Sequence, residues 1–216
     1  ATSAAFAQDL DWPKLDVTTF SWQKAMGGEG GHGVLILSPR AVERLQTYAP
    51  DRPLPKIFRL TKGGKLIEGV FAGETINTPS MLAVADALDA LDWMEEIGGL
   101  AATRARADAN FAALQAWVDR TDWVENLVAD PFARSNTSIC LKIVDPEIAG
   151  RDEAAQRDFV KRMTKLLESE RVAFDLAGYR DAPPGLRVWC GSTVDTADIE
   201  ALTPWLDWAF AGAKAR

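Results

Sequence analysis

The chain has 216 residues, 47% of them hydrophobic and 25% charged, with a formal net charge of -7 and an isoelectric point near 4.8. That length can bury a sizeable core in one large domain or two small ones, and the composition is that of an ordinary soluble globular protein. The acidic balance argues against a nucleic-acid binder with a broad basic footprint, and no apolar run approaches the roughly 18 residues of a membrane span.

The opening ATSAAFAQDL lacks both a starting Met and a basic stretch followed by an apolar one, so it reads as a processed or truncated end rather than a signal peptide. Residues 15–24, LDVTTFSWQK, are rich in β-branched and aromatic side chains and predict a strand leading into a loop. A glycine run follows, then VLILS, an apolar run typical of a buried strand. Pro39 and AVERLQTY predict a brief helix, and residues 50–65, with Pro50, Pro53 and Pro55, an irregular basic excursion. In GETINTPSMLAVADALDALDWMEEIGG, Thr78 suits an N-cap and Pro79 the first helical position. Leu82, Ala85, Leu88 and Leu91 then predict an inward apolar face, ended by Gly98-Gly99. A second long helix is expected from Leu100 to Val118, with Phe111, Leu114 and Trp117 apolar.

Beyond Trp123 the texture changes. TSICLKIVD predicts a strand, residues 151–171 an amphipathic helix with Phe159, Val160, Met163, Leu166 and Leu167 inward, and VAFDLAGYR and LRVWCGS two further strands. The chain ends in a helix over about 198–213, with Ile199, Leu202, Trp205, Leu206 and Phe210 as its stripe and Pro204 expected to kink it or split off a first turn. Strand, helix, strand, strand, helix describes a small α/β or α+β unit, with a boundary near residues 98–120.

Several stretches could carry chemistry. Gly28–Gly33 spells G-x-G-x-x-G, but a strand rather than a helix follows it, which is the wrong context for a dinucleotide site, and no G-K-[ST] closes a Walker loop. Cys140 and Cys190 are isolated in apolar runs and read as reduced, buried thiols, which fits a reducing, cytoplasmic compartment. With His32 the sole histidine, no zinc set emerges. Lys24 stands out from the ordinary solvated lysine: it follows an apolar segment, is flanked by Ser21 and Gln23, and precedes glycines that let a ligand approach the backbone. A desolvated lysine there can lose its proton and form a Schiff base with an aldehyde. Ile76-Asn77-Thr78-Pro79 is a helix cap that could also meet a phosphate. Arg180 and Arg187, beside Tyr179 and the turn DAPPG, are either surface arginines or a grip for a carboxylate and a phosphate. The cluster Arg52, Lys56, Arg59, Lys62 and Lys65 reads as a solvated loop, with contact to a phosphate as the alternative.

Together, S-W-Q-K before glycines and a strand, I-N-T-P-S opening a helix, and Y-R…G-L-R-V-W-C-G resemble phosphoserine aminotransferase over essentially the whole chain. That is a pyridoxal-phosphate (PLP) enzyme of the aspartate-aminotransferase fold, and the likeness is to its alphaproteobacterial and archaeal subgroup. The resemblance implies an α/β, fold-type I architecture. Residues 1–98 would be the C-terminal part of the PLP-binding large domain, 99–120 a connecting helix and 121–216 a small C-terminal α/β domain. It implies that Lys24 carries PLP covalently and, once released, shuttles the proton between substrate and cofactor. Gln23 would contact the cofactor, and Asn77 and Thr78 would reach the PLP phosphate of a partner subunit, making a homodimer with shared sites. Arg187 would hold the substrate α-carboxylate and Arg180 the substrate phosphate. Tyr179 and Arg180 match a His-Arg pair that binds the substrate phosphate in better-known relatives, so the tyrosine is a departure. A ring-stacking aromatic, a first phosphate loop and an aspartate for the pyridine nitrogen are expected upstream of Lys24, the aspartate immediately before Ala1. Without that aspartate the electron sink is weakened. The implied reaction converts phosphoserine and 2-oxoglutarate into 3-phosphohydroxypyruvate and glutamate, with the phosphorylated hydroxythreonine of pyridoxine synthesis as a possible further substrate. Another fold-type I aminotransferase or lyase, or an inactive dimerising fragment, are the alternatives.

Overall fold

A computed structural model describes residues 1–215, and the chain divides into two units: Ala1–Ala5 with Asp9–Trp93, and Phe6–Gln8 with Met94–Arg216. In the first unit, β1 (Val17–Ser21) and β2 (Gly33–Leu37) form an antiparallel pair in which Phe20 faces Val34 and Ser21 faces Gly33. Both strands were expected, but β2 is not buried: Leu35 and Ile36 are exposed. An antiparallel pair covered by a single layer leaves one face to water, unlike the buried parallel strand that the apolar run suggested. α1 (Pro39–Thr47) starts where Ser38 Oγ accepts from Ala41 N–H at 3.1 Å and Pro39 occupies the first turn. Asp16 ties that start to β1, accepting from Ser38 Oγ and Arg40 Nε at 2.9 and 2.8 Å.

The basic excursion contains a small hairpin, β3 (Thr61–Lys62) with β4 (Lys65–Leu66), and its five Arg and Lys side chains are all exposed. A single helical turn, α2 (Glu68–Phe71), was not anticipated. α3 (Met81–Glu96) begins two residues later than expected. Ser80, not Thr78, caps it: the Ser80 hydroxyl accepts from Ala83 N–H at 3.3 Å and its carbonyl from Val84 N–H at 3.2 Å. Its leucine stripe is also misassigned, because Leu82 is 67% and Leu88 57% exposed while Ala83, Ala87 and Met94 are buried. Periodicity identifies an apolar face but cannot say which other segments are present to cover it.

The second unit is built on α4 (Gly99–Val118), which follows Gly98 in the left-handed region at φ 113. A three-stranded antiparallel sheet follows, in the order β5 (Val124–Asn126), β6 (Ser138–Ile143) and β7 (Leu186–Trp189). β5, too short to announce itself, was missed. A short turn, α5 (Pro146–Ala149), leads to α6 (Glu153–Ser169), which Asp152 caps by accepting from Ala155 N–H at 2.9 Å. α7 (Thr196–Lys214) runs continuously through Pro204 instead of splitting. Pro204 has no N–H for the Glu200 carbonyl, and the Thr203 hydroxyl donates to that carbonyl instead, at 3.0 Å. VAFDLAGYR is not a strand; Ala177 alone bridges to Leu186. Arg171 and Asp175, at φ 58 and 55, stand in the left-handed region, which breaks an extended ladder.

The core of this unit joins Leu114 and Trp117 of α4, Phe159 and Met163 of α6, Val188 of β7 and Leu206 of α7. Trp123 stacks on Phe210 with ring centroids 4.3 Å apart. Asn110, fully buried, spends its amide on the carbonyls of Gly191 and Val194 at 3.1 and 2.8 Å and accepts from Thr196 Oγ1 at 2.7 Å. A buried amide is thereby satisfied, and the loop between β7 and α7 is fastened to α4.

Candidate active site

The first group of candidate residues lies where β1 ends. Gly33 closes the strand pair opposite Ser21, and a side-chain carbon there would collide with the Phe20 carbonyl. Trp22 N–H donates to the His32 carbonyl at 3.2 Å, and His32 stacks on Trp22 with centroids 5.5 Å apart. The sole histidine therefore packs against the turn. The backbone then folds back on itself: Gly27 N–H donates to the Lys24 carbonyl at 3.0 Å and Gly28 N–H to the Trp22 carbonyl at 2.9 Å. Ala25 and Met26 are buried immediately after Lys24. Lys24 is thus a half-buried side chain on a backbone fixed on both sides. Gln23 is exposed, and its Oε1 accepts from Ser21 Oγ at 3.0 Å. Alongside, the backbone nitrogen of Ala1 donates to the Thr19 carbonyl at 2.8 Å, and Thr2 Oγ1 accepts from Ser21 N–H at 3.2 Å.

Asn77 and Thr78 belong to the same unit but lie in the exposed segment ahead of α3. The Thr75 hydroxyl donates to the Asn77 carbonyl at 2.6 Å and shapes that segment.

The third group lies in the second unit. Arg187, opposite Cys140 in the β6–β7 register, has a side chain only 15% exposed. Its guanidinium donates from Nη2 to Asp175 Oδ2 at 2.8 Å, and its central carbon lies 4.2 Å from the centroid of the Tyr179 ring. Arg180 is a different case: its side chain is 94% exposed and its Nε stands 3.8 Å from Asp181. The two arginines that the sequence paired therefore have unlike surroundings, and Tyr179 belongs with Arg187. Asp175 escaped the sequence reading, since an acid inside a strand-like run gives no sign that the chain will turn it onto an arginine. Cys190 follows β7, fully buried, and burial pushes its thiol up to about 12. Cys140 is half-buried, and both thiols are free.

No family model matches the chain. It is 51% identical over 210 residues to the phosphoserine aminotransferase of Methanosarcina mazei, covering 97% of this chain and 54% of that protein. It is homologous to phosphoserine aminotransferases. The chain spans about half the length of the curated relatives it matches. Among solved structures it is similar to a phosphoserine aminotransferase from Cytophaga hutchinsonii, with a TM-score of 0.75 at 21% identity over 96% of this chain and 53% of that one. The PLP-bound phosphoserine aminotransferase of Trichomonas vaginalis gives a TM-score of 0.72 at 23% identity, over 95% and 52% of the two chains. The architecture is that of fold-type I aminotransferases, as the motifs implied.

Proposed function

We propose that this chain carries the lysine-bearing and carboxylate-binding part of a phosphoserine aminotransferase. The reaction is the exchange of an amino group between phosphoserine with 2-oxoglutarate and 3-phosphohydroxypyruvate with glutamate. The observation that carries the reading is Lys24, an amine held half-buried on a turn whose backbone is pinned by β1 before it and by Ala25 and Met26 after it. A lysine presented from a fixed backbone suits an aldehyde cofactor, with which its amine condenses to an imine. Bound PLP would supply the electron-withdrawing ring that stabilises negative charge on the substrate α-carbon.

In this reading Lys24 holds the cofactor covalently and later moves the proton at that α-carbon, while Gln23 contacts the cofactor. Arg187 binds the substrate α-carboxylate, because a half-buried guanidinium is suited to a planar two-oxygen anion. Arg180, exposed and only loosely paired, meets the substrate phosphate. Asn77 and Thr78, exposed ahead of α3, reach the cofactor phosphate of a second copy, so the active form is a homodimer. We assign the first unit to the cofactor-binding part and the second to the small domain. The compartment we favour is the cytoplasm, on the two free thiols. Among the described residues no helix is long and apolar enough to cross a membrane.

The exposed leucines of α3 and the open face of β2 favour a second reading for the chain as it stands, that it acts only once joined to further polypeptide. Borohydride reduction in the presence of PLP, followed by peptide mapping, tests the first reading. A stable adduct on Lys24 is expected, and an equal yield in Lys24→Ala would sink it.

A further inference from the structure

Arg187 of the proposed site has a hydrogen-bonded carboxylate against it. Its side chain is largely buried, yet the carboxylate it meets belongs to Asp175, whose own side chain is 86% exposed. The backbone is bent to make this contact. Asp175 stands at φ 55, while the next residue, Leu176, is buried and accepts the Arg187 N–H at 2.7 Å. The Leu176 carbonyl is therefore fixed to β7, and the left-handed conformation at the preceding residue turns the Asp175 carboxylate onto the guanidinium of that same arginine. Tyr179 covers the guanidinium from its ring side, 4.2 Å away. A cation stacked on an aromatic face keeps its edge free to exchange anions.

We propose that Asp175 is a resident carboxylate that holds Arg187 in its binding geometry and competes with the substrate carboxylate for it, while Tyr179 fixes the guanidinium plane in both states. The inference rests on the carboxylate reading of Arg187. Asp175 is placed to yield, since an exposed acid regains its full hydration on swinging out, whereas the arginine cannot easily follow it. Both are positioning residues: Asp175 lowers the affinity of the site for carboxylates and Tyr179 raises it. This gives Tyr179 a role different from that of a phosphate ligand beside Arg180.

Glutarate, a dicarboxylate without phosphate or amine, is the probe. Its dissociation constant is measured on the 216-residue chain by titration calorimetry, with the Arg187 Nε–H resonance followed by NMR. Asp175→Asn is expected to bind about two- to five-fold more tightly, the worth of one half-exposed ion pair. Its Arg187 Nε–H resonance should begin displaced from the wild-type position. Tyr179→Ala should bind more weakly by a similar factor, with Tyr179→Phe restoring wild-type affinity because it keeps the ring. Equal or weaker binding by Asp175→Asn, with Arg187→Met abolishing binding, would overturn the competition and leave the carboxylate reading intact. Binding that survives Arg187→Met unchanged would overturn the carboxylate reading itself. No binding to the wild type or Asp175→Asn would overturn both.

Discussion

In the second unit, Trp117, Phe159, Met163 and Leu206 are fully buried and the rings of Trp123, Phe159 and Phe210 interlock. The buried apolar residues of the first unit are mostly small, among them Ala5, Ala25, Ala83 and Ala87, with Phe20 and Met26 as the larger ones. Meanwhile Val17, Leu35, Ile36, Leu82 and Leu88 of that unit stay exposed. The second unit therefore holds most of the large buried side chains. In the first, one face of β1 and Ala83 and Ala87 of α3 are buried, but Val17, Leu35 and Ile36 of the strand pair and Leu82 and Leu88 of α3 face solvent, and a two-stranded pair with little covering is marginal in water. The lysine thus sits in the part of the chain that depends most on what packs against it, and the arginine in the part that depends least.

Substitutions can break that comparison. Phe159→Ala should remove about 3–5 kcal/mol of stability in urea unfolding followed by near-UV circular dichroism. Leu88→Ala, at an exposed position of α3, should stay within about 0.5 kcal/mol. Comparable losses at both sites would mean that the first unit has an interior after all. Asn110→Ala should cost roughly 1–3 kcal/mol, since it strands the backbone carbonyls of Gly191 and Val194 that the amide satisfies. Native-state hydrogen exchange sharpens the same point: amides of α4, α6 and α7 should exchange near the rate of global unfolding, those of β1 and β2 orders of magnitude faster.

The smallest expected effect lies at the end of the second unit, where Lys214 Nζ donates to Asp145 Oδ2 at 2.8 Å. The Lys214 hydrogen bond holds the Asp145 carboxyl below its ordinary value. A carboxyl depressed by folding adds stability that is present above its unfolded value and is lost as pH falls through the folded one. Lys214→Met should therefore lower stability slightly at neutral pH and flatten the acid limb, so that the variant and wild-type curves converge as pH falls through the carboxylate range. Thermal melts between the ordinary carboxylate range and neutral pH measure it, and superimposable limbs would show that the pair contributes nothing.

What the sequence made legible follows the same division. The helices α4, α6 and α7 have apolar residues at helical spacing, most of them buried although Trp205 of the expected α7 stripe is exposed, and their positions were read to within a few residues. The leucine stripe of α3 was read as a core face because pattern alone cannot tell a face covered by this chain from one covered by something else. Ser80 displaced Thr78 as the cap because the two hydroxyls suit the role almost equally, and only the backbone decides. The strand-to-glycine turn around Lys24 was legible, and its backbone is indeed folded back there, with Gly27 N–H on the Lys24 carbonyl. The Asp175–Arg187 contact was not, because it depends on one residue taking a left-handed conformation, which no periodicity reveals.

The central claim is that Lys24 is the point at which PLP is held. The direct measurement is mass-spectrometric peptide mapping after PLP addition and borohydride reduction, on the wild-type chain and on Lys24→Ala. The account predicts that the reduced pyridoxyl group is found on Lys24 and that the substitution removes it. A label spread over Lys56, Lys62 and the other exposed lysines, unchanged in Lys24→Ala, would contradict it.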